Sequence, residues 1–193
     1  MDSAVTGSMA ARGCRECYAL HVDYGQRTSR KEQECFHRLA GHLRTAGRYV
    51  ANIGYLRHFG GSSLTDSGWP VEPADLERRG IPSSYVPFRN AHLLAIAVSW
   101  AEVLGAGAVY IGAVGDDSSG YPDCRPEFYQ AFQRLADLGT RPETSIRIIT
   151  PVLHLRKDQI VAAGLELGTP FDATWSCYQS ETEACGECDS CAL

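Results

Sequence analysis

Four cysteines crowd into one short segment near the end of the chain, CYQSETEACGECDSC. Cys177, Cys185, Cys188 and Cys191 follow a Cys-x7-Cys-x2-Cys-x2-Cys spacing. Tetrahedral zinc takes four ligands, and a Cys-x2-Cys turn lets two thiolates converge on one face. Four ligands need no open coordination position, so the spacing predicts a structural zinc site rather than a catalytic one. The alternative is four unpaired buried cysteines.

A second group of side chains that could bind a metal ion or an anion follows a predicted strand, in the segment VGDDSSGYPDCRPEF. Asp117, Tyr121, Asp123 and Arg125 offer carboxylates, a phenol and a guanidinium within a few residues. Such groups can coordinate Mg²⁺, orient a purine-like edge or hold an anion. A polar turn made of Gly, Pro and Asp explains the same composition, so the residues alone leave both interpretations open.

Two further polar segments lie at boundaries between predicted elements. VDYGQR, residues 22–27, leaves a strand and enters a turn, and a simple connector would explain it equally well. YVPFRN, residues 85–90, places Arg89 and Asn90 just before a predicted helix. An N-cap role is an adequate explanation of Asn90, and a solvated surface charge is one of Arg89.

The first residues, MDSAVTG, look like the second half of a glycine-rich phosphate loop that turns into a helix. The free N–H groups and the dipole at a helix N-terminus favour a bound phosphate. No glycine pair stands before this segment in the sequence. The segment is therefore either an accidental tripeptide or part of a nucleotide site.

Short β-rich runs alternate with helical patterns along the chain, which predicts an α/β fold with a parallel sheet and helices on its faces. The predicted strands are 17–24, 48–54, 108–113 and 146–152. The predicted helices are 3–12, 29–47, 91–106, one that begins at Pro126, and 156–168. The stretch from Phe59 to Pro87 has little periodicity and is predicted to be a loop or lid. Ligands of such sheets bind beyond the carboxyl ends of the strands, where the opening segment would lie.

Composition limits the classes of function. The chain has 193 residues, of which 44% are hydrophobic and 21% charged, as expected for one globular domain. The net charge of −5 and the pI near 5.7 argue against a protein built to bind nucleic acid and favour a small ligand. Clustered cysteines favour a metal over disulfides. A reducing, cytoplasmic location is therefore expected, with no secretory signal and no membrane partner.

Five segments together carry a resemblance to a known family: MDSAVT, VDYGQR, YVPFRN, SSGYPDCR and the four-cysteine tail. In this order they resemble the QueC family, the 7-cyano-7-deazaguanine synthases of the PP-loop ATP pyrophosphatase superfamily. The resemblance implies a three-layer α/β fold with a parallel sheet of the adenine nucleotide α-hydrolase, Rossmann-like type. It implies a single domain over residues 1–193, a zinc-binding segment over 174–193, and a homodimer.

The resemblance also implies an activity. The family converts 7-carboxy-7-deazaguanine and ammonia to 7-cyano-7-deazaguanine, preQ0, on the route to queuosine, using ATP and Mg²⁺. A carboxylate does not accept ammonia directly, so ATP turns its oxygen into a leaving group, first to give an amide and then the nitrile. The partners implied are these small molecules, without direct binding of nucleic acid.

Roles for individual residues follow from the same resemblance. ATP contacts are expected from Met1, Asp2, Ser3, Ala4 and Val5. Substrate contacts are expected from Asp23, Tyr24, Gln26, Arg27, Asn90, Tyr121 and Asp123. Asp117 is the candidate for Mg²⁺ or for the proton of ammonia, and Arg89 and Arg125 are the candidates for stabilising charge on a phosphate or carboxylate.

The family's phosphate loop reads Ser-Gly-Gly-x-Asp-Ser after the first strand, so Met1 falls at x. The expectation is that the strand and the first three loop positions are missing from these 193 residues. Phe88 also departs from the family, which usually has a small residue there. Two alternatives stay open: a sibling PP-loop enzyme that modifies tRNA, which should have a basic surface, and an inactive zinc-binding relative.

Overall fold

The computed structural model describes residues 1–75, 77–78, 80–115 and 120–193 and shows an α/β protein with parallel strands, which confirms the predicted fold class. The helices are α1 (Asp2–Gly13), α2 (Ser29–His42), α3 (Leu56–Phe59), α4 (Arg89–Leu104), α5 (Pro126–Gly139), α6 (Lys157–Leu167) and α7 (Asp189–Ala192). The strands are β1 (Tyr18–Asp23), β2 (Gly47–Asn52), β3 (Ala108–Tyr110) and β4 (Arg147–Ile149).

The strands form two parallel pairs. β1 pairs with β2, from Tyr18 opposite Gly47 to Asp23 opposite Asn52. β3 pairs with β4, with Val109 opposite Ile148 at the centre. In the described part of the chain the two pairs are not hydrogen-bonded to each other. Residues 17–22 of one pair and 106–113 of the other instead line a common cavity.

Helix α1 packs against α6. Val5 is fully buried there against Val152 and Ile160. Gly164 in α6 allows this approach, because a Cβ at that position would overlap the ring of Phe171 and the side chain of Val5. The packing fixes the direction in which the N-terminus of α1 points.

Helices α4 and α5 share a second core cluster. Leu94 of α4 is fully buried there with Phe132 of α5 and Leu153 of the loop after β4. Asn90 is not the N-cap of α4, which was one interpretation left open by the sequence, because α4 already begins at Arg89 and Asn90 lies inside its first turn. Phe88 occupies the cap position with a φ of 58°, a left-handed conformation that favours a small residue such as glycine.

Helix α2 ends at His42, five residues before the predicted end at Gly47. Arg44 adopts a positive φ of 51°, which turns the chain out of the helix. Gly47 instead begins β2, where a Cβ would lie 2.8 Å from the ring of Tyr18. Among the described residues, no helix combines the length and the apolar character needed to cross a lipid bilayer.

Candidate functional site

The four tail cysteines come together in space. Their sulfur atoms all lie within 4.8 Å of one another, and those of Cys185 and Cys191 are 3.9 Å apart. In a tetrahedral site with zinc–sulfur distances of about 2.3 Å, the sulfurs lie about 3.8 Å apart. The donor set therefore fits a tetrahedral thiolate site for a metal such as zinc.

Backbone N–H donors stabilise the thiolate of Cys177, the form that binds a cation. The sulfur of Cys177 accepts N–H groups from Gln179, Ser180 and Cys185, each at 3.4 Å. Burial opposes ionisation of this thiol, but the backbone donors outweigh it and lower the pKa of Cys177 to about 7. Burial raises the pKa of Cys191 to about 12. A metal that binds all four sulfurs must displace protons, so its affinity rises with pH.

The tail that carries the cysteines is fastened to the rest of the molecule at two places. Asp189 pairs with Arg78 at 2.9 Å, with both side chains largely buried. The carboxylate of Glu181 accepts the backbone N–H of Lys31 at the start of α2, at 3.2 Å. Tyr178, directly after Cys177, packs against the core cluster that contains Val22 and Tyr24, at the carboxyl end of β1.

A cavity of about 1040 Å³ lies between β1 and β3. Its wall includes Asp2 and Ser3 at the N-terminus of α1, together with Arg89, which begins α4. Tyr24 and Tyr121 follow strands β1 and β3 and line the same cavity. The predicted segments therefore meet where ligands of open α/β sheets bind.

Arg89 is the most unusual group in this cavity. Its Nη1 donates to the hydroxyl of Tyr24 at 3.1 Å, and the guanidinium lies 5.2 Å from the centre of the Tyr24 ring. Its Nε is buried without a hydrogen-bond partner, and among the described residues no carboxylate forms an ion pair with it. Burial raises the pKa of Tyr24 to about 12, so that phenol stays neutral. A buried cation without an anion is a site prepared to receive one.

The N-terminus of α1 is a second anion-binding feature. The loop after β3 passes so close that a Cβ at Gly112 would lie 2.6 Å from the backbone nitrogen of Ser3. Asp2 pairs with Lys157 at 2.8 Å, and its other carboxylate oxygen is buried without a partner. Met1 and Ala4 also line the cavity, whereas the side chain of Val5 lies in the core.

A buried network holds the start of α4 in place. Asp123 accepts the backbone N–H of Asn90 at 2.9 Å, so the carboxylate of Asp123 caps a helix that lacks a capping side chain of its own. The side-chain amide of Asn90 donates to the Asp123 carbonyl and to the hydroxyl of Tyr129. Asn90 reaches the cavity wall, whereas Asp123 lies behind it. This network positions the neighbouring Arg89.

The remaining predicted residues lie outside the cavity or outside the described residues. Arg27 donates to the backbone carbonyls of residues 63, 66 and 69 and so anchors the loop before α4. Gln26 bonds to Glu32 and the backbone of Tyr24, and Asp23 accepts the N–H of residue 25. Arg125 is exposed at the start of α5. Asp117 and Asp116 lie outside the described residues.

Lys157 and Tyr178 line the cavity wall and were not predicted from the sequence. Lys157, the first residue of α6, reaches Asp2 across more than 150 positions. Tyr178 lines the cavity directly after the metal-cluster residue Cys177. The sequence offered one signal for each residue: Lys157 is a basic residue at a helix start, and Tyr178 is an aromatic residue beside a cysteine. Both features are too common in proteins to indicate a site.

Comparison with known proteins places the whole chain in one group. A family model described as queuosine biosynthesis protein QueC matches residues 1–193. The chain is 57% identical to the 7-cyano-7-deazaguanine synthase of Chlorobium limicola over 192 residues, which cover 100% of this chain and 85% of the relative. The synthases of Chlorobium luteolum and Chlorobaculum parvum are 57% and 55% identical, with the same coverage.

Proposed function

Since the chain belongs to the QueC family of queuosine biosynthesis proteins, we propose that it makes 7-cyano-7-deazaguanine from 7-carboxy-7-deazaguanine, ammonia and ATP. The observation that carries this proposal is the buried guanidinium of Arg89, which has no anionic partner among the described residues. It faces the same cavity as the N-terminus of α1. One cavity thus offers two anion sites, as a reaction between a carboxylate and a nucleoside triphosphate requires.

Different residues of the cavity would bind the phosphates of ATP and the carboxylate of the substrate. ATP supplies the activation that a carboxylate oxygen needs before ammonia can displace it. The N–H groups of Asp2 and Ser3, with Lys157 beside them, would hold phosphate oxygens. Arg89 would hold the substrate carboxylate and stabilise the negative charge that develops on its oxygen during displacement. The hydroxyls of Tyr24 and Tyr121 would orient the bound group.

Asp2, at the N-terminus of α1, offers a ligand for Mg²⁺ in the cavity. The oxygen Oδ1 of Asp2 is buried without a hydrogen-bond partner, and a carboxylate oxygen is what Mg²⁺ binds. Asp117 remains our proposal for a second Mg²⁺ ligand or for the group that accepts the proton of ammonia. Arg125 is exposed, so its proposed part is limited to attracting anions toward the cavity.

The proposed synthase activity is tested by measuring whether ATP consumption requires both 7-carboxy-7-deazaguanine and ammonia. The protein with a β-strand and Ser-Gly-Gly added before Met1 should consume ATP only when 7-carboxy-7-deazaguanine and an ammonium salt are both present. Mass spectrometry should then detect the nitrile. An Arg89→Gln protein serves as the matched control and should produce none. Equal ATP turnover with and without the deazapurine would refute the proposal.

We propose zinc as the metal of the four-cysteine cluster. Purified protein should hold about one zinc per chain, and Cys188→Ser should lose both the metal and solubility, because a closed thiolate site contributes directly to folding. Cys14→Ser, a free thiol outside the cluster, is the control and should keep the metal. Elemental analysis that finds no metal in a stably folded protein would contradict this assignment.

The part of the cavity that lies between β1 and β3 has room for one further parallel strand. Both bordering strands belong to parallel pairs, and a six-residue strand such as β1 spans about 20 Å. We propose that a strand in this space, followed by Ser-Gly-Gly directly before Met1, would complete the phosphate loop. Such a strand would end beside Asp2 and Ser3 and would leave the mouth of the cavity, beyond the carboxyl ends of the strands, free for ligands.

We further propose that the protein forms a homodimer through α4 and α5. No Asp, Glu, Lys or Arg occurs between Arg89 and Glu102, although α4 has an exposed side. Val103 is 83% exposed, and Leu138 of α5 is 87% exposed. A contiguous apolar patch formed by such side chains would mark a protein contact. Sedimentation as a 21.1 kDa species only would exclude the dimer.

A further inference from the structure

The described residues between 72 and 85, here called the 72–85 loop, contact the four-cysteine segment directly. Pro73 and Cys188 form an antiparallel β-bridge, and the backbone N–H of Ala74 donates to the carbonyl of Glu187 at 2.7 Å. Cys188 is fully buried. This part of the loop is therefore paired with the backbone that carries a metal-cluster sulfur.

Arg78 joins the loop to the same segment through its side chain. Its guanidinium lies 2.9 Å from the carboxylate of Asp189 and 3.5 Å from that of Glu72. The side chains of Arg78 and Asp189 are only 20% and 18% exposed, so water screens this ion pair less than a surface pair. Removing Arg78 would leave two carboxylates, one from the loop and one from the tail, without the cation that joins them.

The other end of the 72–85 loop reaches the cavity. Ser84 is buried, and its hydroxyl lies 2.8 Å from the hydroxyl of Tyr121. The ring of Tyr85 packs against the ring of Tyr121, with the centres 5.5 Å apart. The hydroxyl of Tyr85 also accepts the backbone N–H of Phe88, the cap residue of α4, at 3.0 Å. The loop therefore contacts the cavity wall as well as the cysteine segment.

Hydrogen bonds within the loop connect these two ends. The carboxylate of Glu72, which pairs with Arg78, accepts the backbone N–H of Ser83 in a long hydrogen bond of 3.5 Å. The carbonyl of Ser83 in turn accepts the backbone N–H of Ser63 at 2.8 Å. Since Ser83 directly precedes Ser84, a displacement of Glu72 would also displace the residue that contacts Tyr121.

We propose that Arg78 is a positioning residue that attaches the 72–85 loop to the four-cysteine cluster. A metal on the cysteines fixes the backbone of residues 187–189, and the contacts of this backbone with the loop then fix Ser84 and the hydroxyl of Tyr121. Coupling of this kind is reciprocal, so the attached loop also raises the affinity of the cluster for its metal. The attachment does not depend on the proposed function, whereas its effect on the substrate rests on it.

Amide hydrogen exchange in the zinc-loaded protein tests the attachment. In Arg78→Gln the amide of Ala74, which donates to Glu187, should exchange about 10- to 100-fold faster, because a largely buried ion pair that holds a local contact is lost. Amides of α6 and the melting temperature should stay unchanged. Arg78→Lys keeps the charge and should restore most of the protection. Arg38→Gln, which breaks an exposed ion pair with Asp172, is the control and should exchange like the wild type.

A competition titration between the protein and a zinc chelator tests the reciprocal effect. Arg78→Gln should bind zinc about 10-fold more weakly than the wild type, and Arg38→Gln should bind it as tightly as the wild type. The inference is overturned if either the exchange of the Ala74 amide or the zinc affinity is the same in Arg78→Gln as in the wild type. It is also overturned if the wild type binds no zinc.

Binding of 7-carboxy-7-deazaguanine tests whether the loop positions the cavity wall. Calorimetry on the zinc-loaded proteins should find binding about 10-fold weaker in Arg78→Gln, as expected when one hydrogen-bonding group is misplaced, and largely recovered in Arg78→Lys. Equal binding by Arg78→Gln and the wild type would show that Arg78 does not position Tyr121, and this would overturn its role. If the wild type binds no deazapurine while amide exchange and zinc affinity respond as expected, the proposed function fails and the attachment of the loop stands.

Discussion

Replacement of Arg89 by lysine is expected to lower kcat/KM for the deazapurine about 100- to 1000-fold, the range found when one preorganised electrostatic group is removed. Lysine is a point charge without the planar fork that matches a carboxylate. It would also lose the stacking of the guanidinium on Tyr24. Steady-state kinetics measure the loss, and the melting temperature should change little because the aliphatic stem is kept.

The pH profile identifies the cause of this loss. Burial lowers the pKa of a lysine, whereas an arginine stays charged. The deficit of Arg89→Lys should therefore grow as the pH rises through the depressed lysine pKa and shrink below it. Arg125→Lys is the matched control, because Arg125 is exposed and outside the cavity wall. Near-normal activity of Arg89→Lys at all pH values would refute the role of Arg89.

The parts of the site that the sequence could predict are those encoded locally. The four cysteines lie within fifteen residues, so their spacing alone constrains the geometry of the cluster. The α/β alternation likewise depends on short-range periodicity, and it correctly places polar segments at the carboxyl ends of strands. Tyr24 and Tyr121 lie in such segments and line the cavity, as does Asn90 at the start of α4.

Long-range contacts could not be predicted in this way. Arg27 and Arg89 both stand in polar segments beside predicted elements, yet Arg27 binds backbone carbonyls of a loop and Arg89 faces the cavity. The difference depends on how residues 60–87 fold, and that stretch has no periodicity. The capping of α4 by Asp123 could not be predicted either, since the acceptor is thirty-three residues from Asn90.

Addition of a β-strand followed by Ser-Gly-Gly directly before Met1 is expected to raise ATP affinity by at least about 100-fold, through several charge-assisted N–H contacts to the phosphates. Glycines are needed there because the backbone must approach the phosphates closely and adopt positive φ. The strand should also pair with the open edges of β1 and β3 and bury apolar side chains in the cavity. A stabilisation of a few kcal/mol would raise the melting temperature by about 5 to 10 °C.

The two effects separate in a third protein, in which the strand is present but both added glycines are replaced by valine. This protein should lose ATP binding, because the side chains block the backbone from the phosphates. It should keep most of the added stability, because the strand still fills the space between β1 and β3. Calorimetry and thermal melts on the 193-residue chain, the extended protein and the valine variant test both expectations. If the 193-residue chain binds ATP as tightly as the extended protein, the N-terminus of α1 needs no upstream glycines and the proposed phosphate loop is wrong. If the valine variant melts as low as the 193-residue chain, the cavity between β1 and β3 is not the place of a strand.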